Sequence, residues 1–437
     1  MTAITVDEAL DRARAGRYQR RLLGVFGLVW AADAMQVLAV GFTAASIAST
    51  FGLTIPQALQ TGTVFFLGML LGAMGFGKLA DRIGRRSVLL VTVSCDAVFG
   101  LLSVFAADFT LLLLLRFFTG AAVGGTLPVD YAMMSEFLPA KNRGRWLVAL
   151  EGFWAIGTLA VALAAWVAST WGVADAWRVI FAVTALPALV GVGLRVLIPE
   201  SPIYLQRTNK PEEARRVVNR ILQVNTGRTL DEGEELVLPA GETRTGIFTP
   251  DLRRTSVTIL AIWFLVSVSY YGVFTWMPAK LASEGFGFVR GYGFLVLVAL
   301  AQLPGYALAA YGVERWGRKP TLTGFCLLSA AGCLLFVIAG QPLMIAASLL
   351  IMSFALLGTW GALYAYTPEL FPTRSRATGM GAAGAMARLG GLIAPSAMAY
   401  VIGHGFGLTI GIFAGLLVVA AVAAATLRVE TRAVSLA

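Results

Sequence analysis

A chain of 437 residues that is 58% hydrophobic and 13% charged has too few polar side chains to cover a water-soluble globule, so soluble folds are excluded. Its net charge of +10 raises the question of nucleic acid, but the 34 Lys and Arg fall in alternate loops between apolar blocks and belong to membrane orientation. One histidine and three cysteines furnish no zinc set and no nucleophile arrangement, and no phosphate-cradling glycine loop appears; neither an enzyme nor a cofactor or metal is expected.

In chain order, apolar blocks of about 20 residues match a hydrocarbon core of roughly 30 Å. They predict helices near 22–44, 60–80, 87–106, 110–134, 146–168 and 178–198. The first is too long for a signal-peptide core and lacks a small-residue cleavage site, so it reads as retained. The polar stretch 199–252 follows, where Lys210-Pro211-Glu212-Glu213 opens an amphipathic helix to about Leu222. A plain helical linker is the simpler reading of that stretch, a regulatory domain the other. Six more blocks lie near 255–278, 291–313, 320–339, 343–366, 378–402 and 406–427. Helices satisfy their own backbone in lipid, and nothing alternates with the period of a barrel strand. The expectation is an all-α membrane protein of twelve transmembrane helices, with bundles 1–198 and 253–437 joined by the linker 199–252.

Charge sets the orientation. One side carries the N-terminal arginines, Arg82, Arg85 and Arg86, Lys141 to Arg145, the basic residues of 195–254, Arg315 to Lys319, Arg374 and Arg376, and Arg428 and Arg432. The other side carries Arg178, Lys280 and Arg290. Both termini are therefore expected in the cytoplasm of a bacterial-type inner (plasma) membrane. An anionic-lipid patch is the alternative use of the excess. Cys95, Cys326 and Cys333 fall within spans as core thiols, and His404 in a short outer loop.

The chain repeats. Asp81-Arg82-Ile83-Gly84-Arg85-Arg86 after span 2 matches Glu314-Arg315-Trp316-Gly317-Arg318-Lys319 after span 8. Glu136, Pro139 and Arg143 match Glu369, Pro372 and Arg376. One offset, 233 residues, relates both pairs, as in parallel repeats about an axis along the membrane normal.

Residues 77–86, from Gly77 and Lys78 to Arg86, resemble the loop signature of the major facilitator superfamily. The resemblance implies alternating access, with Gly77 admitting a neighbouring helix, Gly84 making the turn, and Asp81, Arg82 and Arg85 in pairs that hold one state; ordinary orientation charge is the alternative. Arg116, Gly120, Gly124, Gly125, Glu136, Arg143-Gly144-Arg145 and Pro199-Glu200-Ser201-Pro202 resemble the sugar-porter branch. Ile203 departs from it, and so do Leu265, Val266 and Tyr271, where sugar porters carry amides that read hydroxyls; a hexose is not the expected substrate. A closer resemblance, to bacterial niacin transporters and synaptic-vesicle-protein-related transporters, rests on Ala32-Asp33-Ala34-Met35, Leu150-Glu151-Gly152-Phe153-Trp154-Ala155, Ala301-Gln302-Leu303-Pro304-Gly305 and Arg388-Leu389-Gly390-Gly391. Gln36 stands where those relatives carry a second acid.

Ionisable residues at mid-span are costly and mark function. Asp33 lies about 11 residues into span 1, roughly 16 Å deep. The sugar/proton symporter resemblance pairs it with Arg116 as a proton-coupling site, a permanent structural pair being the other reading. Asp130, Glu136 and Glu151 are expected towards the cytoplasmic end, and Asp96 as a packed acid. Arg388 has no acid within a helical turn and suits a solute carboxylate in bidentate geometry. Tyr270, Tyr271, Trp276, Gln302, Trp360, Tyr364 and Tyr366 are candidate walls, although interface belts also collect Trp and Tyr. The expected protein is a monomer in a lipid bilayer that couples protons to uptake of a small aromatic acid such as nicotinate, without nucleic acid. A sugar or drug transporter of the same fold, and a non-transporting receptor or sensor, are the alternatives.

Overall fold

The computed structural model describes residues 2–139, 143–237, 246–284, 292–371, 373–401 and 406–431. Lys141, His404, Arg290, Pro372 and Arg432 lie outside the described residues, as do the side chains of Lys78, Asp81, Arg145, Trp276, Lys280, Arg374 and Arg376.

A strand β1 (Thr2–Thr5) and helix α1 (Val6–Ala13) precede the first membrane helix, α2 (Arg17–Phe51). After the short α3 (Ile55–Ala58) come α4 (Gln60–Ile83), α5 (Arg85–Ser103), α6 (Phe109–Glu136), α7 (Arg143–Thr170) and α8 (Ala176–Arg195). The polar stretch holds α9 (Pro202–Arg207), α10 (Pro211–Thr226) and strand β2 (Glu234–Val237). The second set is α11 (Pro250–Glu284), then α12 (Tyr292–Leu300) and α13 (Gln302–Arg315) making one crossing, α14 (Arg318–Ile338), α15 (Pro342–Tyr366), α16 (Thr373–Val401) and α17 (Phe406–Thr426). The amphipathic helix expected from Lys210 is α10, with Pro211 at its first position.

Twelve crossings result. Among the described residues, eleven helices are long and apolar enough to span a membrane. The twelfth, α16, is rich in Gly and Ala because it faces the centre, packed against α11 of its own bundle and α4 of the other. Leu114, Val98, Leu186, Leu334 and Val419 stay exposed on the outside, the belt that lipid covers. Helices α2 and α4–α8 pack on one another, as do α11–α17, and the two bundles meet along α2–α11, α4–α16 and α7–α12.

Both duplicated turns lie on one face, the one that also carries α1, α9, α10 and the strands; we call it the basic face. Gly84 and Gly317 make the turns at φ of 101° and 108°, a region closed to L side chains without strain. Behind each stands a carboxylate. Glu200 accepts from the Arg86 N–H at 3.1 Å, and Glu430 accepts from the N–H groups of Arg318 and Lys319 at 2.9 and 3.0 Å. These acids satisfy the open amides at the starts of α5 and α14 and sit favourably at the helix dipole. Gly77 departs from expectation: among the described residues a side chain there would meet nothing within 4 Å, so none of them packs on it closely.

Candidate functional site

At the basic face, the sequence repeats become two matched charge nodes. In the first bundle Arg85 meets Glu136 at 3.3 Å and Ser201 donates to the same carboxylate. In the second, Arg318 forks onto Glu369 at 2.9 and 3.0 Å and Thr431 donates to it. Glu314 adds a looser contact to Arg318 at 3.7 Å from an exposed position, and Arg315 lies exposed over the Tyr311 ring. Arg82 is exposed, with its carbonyl accepting from Tyr204. Arg143 is held by Asp7 of α1 at 2.7 Å and by the Leu138 carbonyl.

Deeper in the first bundle, ionisable groups gather. Asp33 on α2 is buried, and neither carboxylate oxygen has a hydrogen-bond partner. Asp96 and Asp130 act on it as like charges, Arg195 and Arg388 as opposite ones. Arg116 is not its partner. That guanidinium donates to the Gln36 side chain at 2.7 Å and the Gln36 carbonyl at 2.9 Å, has Asp96 within electrostatic reach, and lies between the Phe65 and Phe181 rings at 4.6 and 4.5 Å. The reason is depth. Arg116 enters two turns from the far end of α6, and Gln36 is one turn nearer that face than Asp33. Arg195, counted from sequence among the basic-face charges, is buried instead, bonded to Asp130 and stacked on Phe26 at 4.2 Å. Depth again misled: α8 ends within the bundle, and its last residue turns inward.

Between the bundles stands an aromatic cluster. Trp263, Tyr270 and Tyr271 of α11 and Trp360 and Tyr364 of α15 form a chain of ring contacts, with Trp263–Tyr364 at 4.8 Å and Tyr270–Trp360 at 5.8 Å. The first bundle closes on it through Phe66 against Tyr271 at 4.7 Å, Tyr131 against Tyr364 at 6.0 Å, and the Trp154 indole donating to the Tyr270 hydroxyl at 2.8 Å. Arg388 of α16 sits here with Tyr271, Tyr364 and Asp33 in electrostatic reach. Its hydrogen bond at 2.8 Å is to the Gly384 carbonyl of its own helix, and its Nε is unpaired. Gln302 is buried with both amide atoms unpaired, and Trp360 Nε1 is unpaired too. Tyr306, one turn after Gln302 on α13, has Glu151, Tyr270 and Tyr271 in electrostatic reach. Glu151, expected in a face network, is instead buried beside this cluster, where it acts on Tyr131, Tyr271, Tyr306 and Tyr364. Tyr366 lies at the basic face, bonded to the Val429 carbonyl.

Away from the basic face the bundles are in tight contact. A Cβ on Gly41 would fall 2.5 Å from the Thr275 carbonyl oxygen, and one on Gly391 would fall 2.4 Å from the Phe66 ring. Among the described residues no group of three or more His, Cys, Asp or Glu could hold a metal ion.

Residues missed from sequence are Gln36, Arg195, Trp263, Tyr131 and Trp154. Gln36 was visible only as a departure from the relatives. Trp263 and Trp154 carried the general signal of an indole at mid-span, which needs a polar partner.

Comparison with known proteins adds the lineage. Residues 18–437 match the profile of the family described as "Sugar (and other) transporter". The "Putative niacin/nicotinamide transporter NiaP" of Bacillus subtilis is 36% identical, covering 86% of this chain and 87% of that protein. The "Niacin transporter NiaP" of Acinetobacter baylyi is 35% identical over 88% of each, and the "Synaptic vesicle 2-related protein" of Xenopus laevis is 31% identical over 98% of this chain and 81% of its own length. Among solved structures, the partially occluded inward-open xylose transporter XylE of E. coli superposes with a TM-score of 0.76 at 19% identity, covering 95% of this chain and 98% of that one, a likeness of fold.

Proposed function

The chain belongs to the sugar (and other) transporter family and is a multi-pass membrane transporter, and on that premise we propose that it takes up a small aromatic acid such as nicotinate, coupled to protons, by alternating access. The observation that carries this reading is Arg388, a buried cation at the meeting of the two bundles, bonded among the described residues only to its own helix and neighboured by Tyr271 and Tyr364. A carboxylate would satisfy the guanidinium, and the flat walls favour an aromatic body. Leu265 and Val266 on α11 offer no amide to a sugar hydroxyl, which disfavours the hexose alternative. The niacin named in the relatives supports the same substrate class.

Asp33 is the proton-carrying group in this proposal. Arg388 lies within electrostatic reach of Asp33 across the bundle interface. A substrate carboxylate that takes over Arg388 leaves Asp33 as a buried, unbonded charge, and a bound proton is the least costly way to neutralise it. Arg116, held by Gln36 and near Asp96, orients α2 rather than exchanging with the solute. The charge nodes Arg85–Glu136 and Arg318–Glu369 each brace the basic-face end of their own bundle and bias the access equilibrium from there, with Gly84 setting the turn. The charge asymmetry of the loops supports an inner-membrane orientation with both termini cytoplasmic.

Uptake into proteoliposomes under an imposed acid-outside gradient tests the proposal. Accumulation of nicotinate that collapses with the gradient is expected. Flux indifferent to the gradient, in wild type and Asp33→Asn alike, rules out coupling at Asp33.

A further inference from the structure

The transport reading leaves one ionisable group beside the ring cluster without a task. Glu151 on α7 is 3% exposed. Its Oε1 has no hydrogen-bond partner, and the Trp30 indole N–H lies close enough to act on the carboxyl. A buried carboxylate in this condition is expensive to keep and signals a partner not yet in place. Its position says what kind of partner. Glu151 and Arg388 belong to opposite bundles, yet both act on Tyr271 and both act on Tyr364. Contacts place Glu151 at the first-bundle edge of these rings: Trp154, one turn on from it, donates to Tyr270, and Trp30 meets Tyr131, which meets Tyr364. A flat anion gripped at Arg388 and laid along these rings would turn its remote edge to the first bundle, where Glu151 stands.

We propose that Glu151 selects, among flat aromatic anions, those with a nitrogen at the edge remote from the carboxylate, through a hydrogen bond between its carboxyl group and that nitrogen. The pair shares one proton, held by the carboxyl or by the ring nitrogen, and the contact is attractive in either arrangement. A C–H edge offers Glu151 Oε1 no such bond. The inference rests on the reading of Arg388 as the anion site and narrows it from aromatic acids to pyridine-type carboxylates. A purely structural Glu151 would show no dependence on the ligand's nitrogen.

Calorimetric binding of nicotinate, isonicotinate and benzoate to the purified full chain tests this, since benzoate has the outline of nicotinate with C–H in place of nitrogen. Wild type is expected to bind the pyridine acids about tenfold or more tightly than benzoate, the scale of a hydrogen bond to a charged group. Glu151→Leu is expected to bring that ratio within about twofold, while Glu151→Gln, which keeps an N–H donor, retains part of it. Wild type binding benzoate as tightly as nicotinate overturns the inference and leaves the anion site standing. A Glu151→Leu variant that keeps the full ratio also overturns it. Wild type binding none of the three sinks both. Because the first comparison uses unaltered protein, a variant that fails to fold does not stall the decision.

Discussion

At the basic face the two bundles are built alike, an arginine on a glutamate with a hydroxyl behind it, Arg85–Glu136–Ser201 in one and Arg318–Glu369–Thr431 in the other. At mid-membrane they part. The first bundle buries Asp33, Asp96, Asp130, Glu151, Arg116 and Arg195, whereas among the described residues the second buries Arg388 alone, set in an aromatic wall. Duplication has kept what both halves must do together at one face. Chemistry needed only once is split: ionisable groups on one side, a cation and rings on the other.

The largest expected effect tests the second centre. Arg388→Ala should weaken nicotinate binding by about thirtyfold to a thousandfold, the scale for removing one partner of a buried charge pair, read by calorimetry. Unchanged affinity would break the division of labour. Next comes the first centre: Asp33→Asn should lose gradient-driven accumulation yet retain counterflow of labelled substrate, and a loss of both would place Asp33 in substrate binding instead. The matched nodes supply a symmetric test. Glu136→Gln and Glu369→Gln should shift the populations of the two access states in the same direction, each by about fivefold or more, read by cysteine accessibility on either face. Opposite shifts would show that the nodes are alike in form only.

Smaller effects sharpen the comparison. Gly84→Ala and Gly317→Ala should each cost about 1–3 kcal/mol, because both turns require positive φ and a Cβ at Gly84 would also run into Glu200 at 2.3 Å. Melting in detergent should register both and leave Gly77→Ala unchanged. The smallest effect concerns acidity. Strands β1 and β2 pair in parallel, clasped by Arg12 on Glu234 at 2.6 Å, and that hydrogen bond holds the Glu234 carboxyl below its usual range. A depressed carboxylate contributes stability that is present above its unfolded value and lost as pH falls through the folded one. Hydrogen exchange at Ile4 and Leu236, corrected for intrinsic rate, should therefore stay level from neutral pH down to the ordinary carboxylate range and rise only below it.

The spans, the repeat and the partners within each node were legible, because hydropathy and punctuation are written along the chain. Arg85 lies 233 residues before Arg318, and Glu136 the same distance before Glu369. The supporting acids were not found that way, since Glu200 and Glu430 are three residues out of that register; the shared Glu-Ser and Glu-Thr dipeptides after the last helix of each half were the available signal. The interior resisted reading for a different reason. Helices that are apolar on all sides do not declare which residues face each other, so Asp33 was assigned Arg116, which in fact holds Gln36. Glu151 was misjudged by depth alone, because nothing along α7 reveals that Tyr364 and Tyr271 come to meet it from the other bundle.

The clasp has a consequence for biogenesis. Strand β1 is synthesised before α2 and β2 only after α8, so β1 must wait, unpaired, while a whole bundle is threaded into the bilayer. A bulky fusion ahead of Thr2 would then spare insertion of those helices and penalise only the final fastening of the linker.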